Sequence, residues 1–136
     1  MEAKLAEFRL NSYAFTKANL DLSEEQMQLD LSFDPSGVFY TAKKCYELNL
    51  VFRAVDCKTK KTIVETECKA QYEFRNKIAL EQIPDFFYAN SIAIIFPYIR
   101  AFVSTLTLQA NCVPIVLPTL NLTPLSQQLK SNTSVK

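Results

Sequence analysis

Four cysteines, at positions 45, 57, 68 and 112, are the side chains best suited to chemistry as nucleophiles or metal ligands. None of them forms a Cys-x-x-Cys pair, and the chain contains no histidine, so the ligands of a zinc site are missing. Without histidine, neither a Ser-His-Asp triad nor a Cys-His dyad can be assembled. Three of the cysteines sit in or beside strand-like segments, where a free thiol behaves as a small hydrophobe. A single glycine, Gly37, leaves no dinucleotide-binding fingerprint and no phosphate-cradling loop. Carboxylates are plentiful, but acid–base work needs an inward-facing acid with a shifted pKa. The spacing of these acids instead matches the solvated face of a sheet. A protein that is not an enzyme, with no cofactor and no metal, is the expectation.

The elements that would position these residues come from 136 residues, 49% hydrophobic and 21% charged, enough for one domain with a real core. A net charge of +1 gives no broad electrostatic reason to expect nucleic acid as a partner. The first residues, MEAKLAEFRL, show no apolar core of a signal peptide. The most apolar stretch, Ile92 to Ile99, is short for a bilayer and is broken by Pro97 and Arg100. A soluble, cytoplasmic protein without membrane insertion is expected. Residues 1–130 read as one domain, and 131–136 as a disordered tail.

Four segments read as strands. The first spans about Phe8 to Leu22, with a phase change between Leu10 and Tyr13 that predicts a bulge. The second, Met27 to Phe33, alternates cleanly and is followed by a turn signal, Asp34-Pro35-Ser36-Gly37, and an apolar trio, Val38-Phe39-Tyr40. The third places Tyr46, Leu48, Leu50, Phe52 and Ala54 on one face. The fourth places Val64, Thr66, Cys68, Ala70, Tyr72 and Phe74 inward and Glu65, Glu67, Lys69, Gln71 and Glu73 outward. Asp56 to Lys61 reads as a polar hairpin, and antiparallel pairing follows.

From Asp85, expected as an N-cap, a helix of roughly 40 Å runs to about Asn111, interrupted or kinked near Pro97. It is apolar nearly all round. Asn90, Ala93, Pro97, Arg100, Ser104 and Thr107 leave only a narrow seam of small and polar residues. A helix of this kind is covered on more than one side, and one small sheet covers only one. The second cover is expected to be another copy of the chain, which makes that seam the candidate oligomer interface; a tail folded back over the helix is the alternative. Residues 112–122 are apolar yet punctuated by Pro114 and Pro118, so they predict an extended loop that cannot satisfy its own backbone groups. Thr123 is then expected to cap a short helix with Pro124 at its first position and Leu125 and Leu129 facing inward.

The run Ile95-Phe96-Pro97-Tyr98-Ile99-Arg100 resembles the L-F-P-Y-x-R motif of the SecB family. Residues Val113-Pro114-Ile115-Val116-Leu117-Pro118-Thr119-Leu120-Asn121-Leu122 resemble that family's proline-punctuated loop ending in P-x-N-F, at the matching distance. Gln28 to Leu31 and Tyr46 to Leu50 resemble its second and third strands. The sequence departs from the pattern at Ala101, where the family has glutamate, and at Ala110, where it has glycine. The connection between the first two strands is also shorter and lacks the family's aromatic residues.

The resemblance implies an α+β fold: a four-stranded antiparallel sheet, a long helix and a short C-terminal helix, assembled as a dimer of dimers. It implies an ATP-independent chaperone that holds unfolded polypeptides, among them precursors for Sec-dependent export. The alternative is a SecB-like chaperone dedicated to one client, such as an antitoxin. Client-binding candidates are Phe39, Tyr40, Pro114, Ile115, Val116, Leu117 and Leu120, which would offer apolar, non-directional contacts. Glu47, Glu65, Glu67 and Glu73 on the outward sheet face are the candidate docking set for the SecA motor.

Overall fold

The period-two segments form one twisted sheet covered on one face by the long helix. The computed structural model describes residues 7–22 and 28–136. The expected strand start at Met27, most of the compared connection and the first six residues fall outside the described residues. Strands β1 (Phe8–Leu20), β2 (Leu29–Tyr40), β3 (Cys45–Asp56), β4 (Thr62–Phe74) and β5 (Thr133–Val135) line up in the order β1-β4-β3-β2-β5. The four long strands are antiparallel, and β5 joins β2 in parallel. Helix α1 (Asp85–Gln109) lies on the inner face, and α2 (Leu122–Ser131) follows it.

Alternation decides which side chains form the core. Tyr46, Leu48, Leu50, Phe52 and Ala54 of β3 are buried, as are Val64, Thr66, Cys68, Ala70, Tyr72 and Phe74 of β4. Phe87 of α1 packs among Phe8, Tyr46, Tyr72, Phe74 and Tyr88, with ring centroids 4.7–5.8 Å away. Tyr72 donates its hydroxyl to the Ser91 carbonyl at 2.5 Å, which ties sheet to helix. The expected phase change in β1 is a register shift between Leu10 and Ser12, and a second follows between Phe15 and Lys17.

Five expectations are corrected. Asp34-Pro35-Ser36-Gly37 is no turn; β2 runs through it, pairing Pro35 with Leu50 and Gly37 with Leu48. Pro35 fits because it has the orientation of Gly37, whose N–H points away from β3. Gly37 is required because a Cβ there would overlap the ring and hydroxyl of Tyr46. Helix α1 continues across Pro97 instead of being interrupted, since Ala93, whose carbonyl loses its donor, lies on the exposed side with Pro97. Its N-cap is Pro84 and not Asp85. For α2 the cap is Asn121, whose side chain accepts the Thr123 N–H at 3.2 Å, two residues ahead of the expected cap. Finally, the segment 131–136 is no disordered tail: Thr133–Val135 form β5, because the β2 edge offers it unpaired backbone groups.

The C-terminal end of α1 uses local chemistry. Asn111 adopts φ 60°, and the Cys112 N–H bonds the Thr107 carbonyl at 3.1 Å while Asn111 N–H bonds Leu108 at 3.0 Å. This Schellman closure places asparagine where glycine is commonest. By length and composition α1 is apolar enough to cross a bilayer, contrary to the estimate from Ile92–Ile99 alone. In this fold it is a core helix, with Phe87, Ile92, Ile95, Ile99 and Val103 packed on the sheet.

Candidate functional site

One copy of the chain leaves several large apolar side chains in water, and they concentrate in two places. The first is the outward side of the N-terminal half of α1. Phe86 (53% exposed), Ile94 and Tyr98 stand there beside Tyr13 of β1. Tyr13 and Tyr98 lie ring against ring at 4.4 Å, and Phe15 stacks on Phe102 at 4.0 Å. A groove of about 530 Å³ opens between Phe8, Phe86, Asn90, Ala93 and Ile94. The second place is the far end of α1, where Leu108 (57%), Val113 (88%) and Val116 (72%) are exposed.

The seam predicted from sequence divides between these regions. Asn90, Ala93 and Pro97 are exposed, and Arg100 is half-buried with its guanidinium 4.8 Å from the Phe96 ring centroid. Among the described residues its Nε is buried without a hydrogen-bond partner. Ser104 and Thr107, by contrast, are engaged by the chain's own loop. Ser104 Oγ donates to the Ile115 carbonyl at 2.8 Å, and the Ile115 N–H donates to Thr107 Oγ1 at 3.0 Å. Thr107 in turn donates to the Val103 carbonyl at 2.9 Å and is 1% exposed. The proposed interface role of these two residues is therefore corrected: the proline-bearing loop, unable to bond to itself, uses their hydroxyls.

The candidate client set divides in the same way. Pro114 and Val116 are exposed, and Ile115 and Leu120 are half-buried. Leu117 is in the core. Phe39 is fully buried opposite Tyr46, because the uninterrupted β2 sets it in the inward phase; Tyr40 points to the outer face, with the Lys43 ammonium 5.6 Å from its ring centroid. Phe39 and Leu117 are thus core residues and are unavailable to a ligand. Sequence reasoning missed Tyr13, Phe86, Ile94, Tyr98 and Leu108 as surface residues. The nearly all-round apolarity of α1 was their only signal, and it did not say which positions face out.

The outer face of the sheet carries the four candidate acids, and most are already answered within the chain. Glu65 accepts from Lys17 at 2.9 Å and from Arg53 at 2.7 Å, and Arg53 also reaches Asp34 at 2.6 Å. These bonds, Lys17's first, hold the Glu65 carboxyl below its ordinary range. Glu73 pairs with Arg9 at 2.9 Å, and Gln71 donates to Glu47 at 2.8 Å. Among the described residues Glu67 has no ion-pair partner. The Cys68 thiol is quiet: burial pushes it up to about 11, far from the thiolate range at neutral pH.

Among the described residues the geometry therefore offers exposed apolar surface. The family described as preprotein translocase subunit SecB matches residues 12–133. A SecB-like chaperone of Mycobacterium tuberculosis, solved with a ChAD peptide from the HigA1 antitoxin, superposes with a TM-score of 0.66 at 15% identity. The match covers 85% of this chain and 91% of that one. A Streptococcus agalactiae protein of unknown function superposes with a TM-score of 0.50 at 8% identity, covering 83% and 98%. An uncharacterised protein of Methanocaldococcus jannaschii is 46% identical over 43 residues, 32% of this chain and only 28% of the archaeal protein's length.

Proposed function

We propose, from the premise that this chain belongs to the SecB family of chaperones, that it is a cytoplasmic holdase for unfolded polypeptides, export precursors among them. Family membership makes it a chaperone and not an enzyme. The single observation that carries the holding role is the exposed cluster Leu108, Val113 and Val116. Leu108 stands on the last turn of α1, and Pro114 and Pro118 keep the loop that carries Val113 and Val116 from becoming helical. Covering one such side chain contributes about 1.5–3 kcal/mol. Immobilising a flexible client side chain costs about 0.5–1.5 kcal/mol, so each contact is weakly favourable and reversible. Affinity then comes from several contacts along a long client, and release needs no nucleotide.

The open half of α1 supports self-association as a dimer of dimers. Asn90, Ala93 and Pro97 allow close approach, while Phe86, Ile94 and Tyr98 supply area. An aggregation-suppression assay without ATP, run beside a solution mass measurement, tests the reading. An assembly larger than one copy that keeps a denatured protein soluble is expected. A lone protomer with no effect on aggregation would sink it.

A second reading, a chaperone dedicated to one client such as an antitoxin, is favoured by the outer sheet face. A motor such as SecA docking on acids would have to displace Lys17, Arg53 and Arg9 from Glu65 and Glu73. Titration with purified SecA separates the two readings: the dedicated form predicts no measurable complex, and the export form predicts one that the pair E65Q and E67Q weakens.

A further inference from the structure

The outer edge of β2 carries a strand that is held almost entirely through its backbone. Gly37 donates its N–H to the Asn132 carbonyl at 3.2 Å, Lys136 donates to the Phe39 carbonyl at 2.9 Å, and Thr41 donates to the Lys136 carbonyl at 3.3 Å. The Asn132 side-chain amide donates to the Pro35 carbonyl at 3.2 Å. Proline has no N–H to offer the next rung, so the parallel ladder is bounded at Gly37 and is only a few residues long. The side chains of Ser134, Val135 and Lys136 remain exposed.

One side-chain contact gives this edge a preference. Thr133 Oγ1 donates to the Leu129 carbonyl at 2.7 Å, which uses its only hydrogen. The Tyr46 hydroxyl, 2.6 Å away, must therefore be the donor to Thr133. Burial holds the Tyr46 phenol far above its ordinary pKa, so it keeps that proton. Whatever strand lies here must offer an acceptor opposite Gly37 or leave a buried hydroxyl unpaired.

We propose that the β2 edge from Gly37 to Thr41 is a docking site for an extended client segment in parallel register, and that residues 132–136 are its built-in competitor. The proposal rests on the holdase reading and adds to the apolar loop a second, backbone-directed contact. Exchanging one strand for another conserves the ladder bonds, so it costs little. A client gains where the tail is poor: an apolar side chain in place of Ser134 covers half-buried Val38, its register partner. A Ser or Thr in place of Thr133 answers Tyr46. The polar tail blocks the edge against self-pairing when no client is present.

Amide hydrogen exchange on the full chain tests this, with reduced, carboxymethylated α-lactalbumin as the unfolded probe. Saturating probe should expose the Ser134 and Lys136 amides to exchange while Gly37 and Thr41 stay protected. Bound probe with Ser134 and Lys136 as protected as before overturns the tail's role while leaving the holdase reading standing. If the probe binds neither this chain nor any variant, the holdase reading falls and this proposal with it. In Ser134→Pro, which removes one tail donor, more molecules have an open edge at any moment, and affinity for the probe should rise about fivefold. A folded S134P variant with unchanged or weaker affinity counts against competition.

Discussion

The two halves of helix α1 begin from the same sequence pattern and end in different environments. Along the outward seam, Asn90, Ala93 and Pro97 face solvent beside Phe86, Ile94 and Tyr98. Two turns on, Ser104 and Thr107 occupy the same kind of position but are bonded to the backbone of Ile115 in the following loop. A small-and-polar seam on a greasy helix thus marks close approach of backbone, whichever chain supplies that backbone. In the first half nothing among the described residues fills the seam. In the second, a loop that proline prevents from bonding to itself does so. One half stays exposed among the described residues, and the other presents the loop's outward side chains.

The largest effect expected from breaking this contrast is at Ile94. It is exposed in the single chain, so Ile94→Asp should fold. In an assembly that buries it, the same carboxylate would lose water without gaining a partner. Dissociation about a hundredfold or more easier is expected, read by sedimentation or mass photometry across a dilution series. An unchanged mass would remove the open half of α1 from the interface.

A smaller effect is expected at Thr107. Thr107→Val keeps the shape but leaves the Ile115 N–H without its acceptor, at a cost of about 1–3 kcal/mol. Urea unfolding should report that loss, and the Ile115 amide should exchange faster, while the mass of the assembly stays the same. If the mass falls with T107V, the two halves of α1 are not separable.

Part of this contrast was legible in the residues alone. The faces of β3 and β4 follow directly from alternation, because each strand has one face against α1 and the other toward water. The bulge in β1 followed from its broken phase. The misassigned Phe39 shows where local reasoning failed. Asp34-Pro35-Ser36-Gly37 has turn chemistry, yet Phe33, Pro35, Gly37 and Phe39 share one face with uninterrupted period two. The longer-range period was the better guide, and the contact between Gly37 and Tyr46 that explains the glycine exists only in three dimensions. Thr107 was placed on the correct seam, but its partner Ile115 lies eight residues away across a helix end. The strand at Thr133–Val135 has no periodicity to reveal it, since it forms against an edge that no single segment encodes.

The outer sheet face sharpens the same contrast with the smallest effect, because its surface is occupied by pairing within the chain and not left open. Glu65 is the centre of that pairing, held by Lys17 and Arg53, which depress its folded-state pKa. A depressed carboxylate stabilises the fold above its unfolded pKa, and that contribution is lost as pH falls through the folded value. The window therefore lies at and below the ordinary carboxylate range, and neutral pH lies well above it. Glu65→Gln should lower the urea midpoint slightly at neutral pH, since the pair is at the surface and each charge is partly screened. The difference between E65Q and the parent should narrow as pH falls through the acid range, where the parent's Glu65 takes up its proton. A difference that persists unchanged into strong acid would mean that Glu65 acts through packing, and its pairing would then give no reason to regard this face as closed to a docking partner.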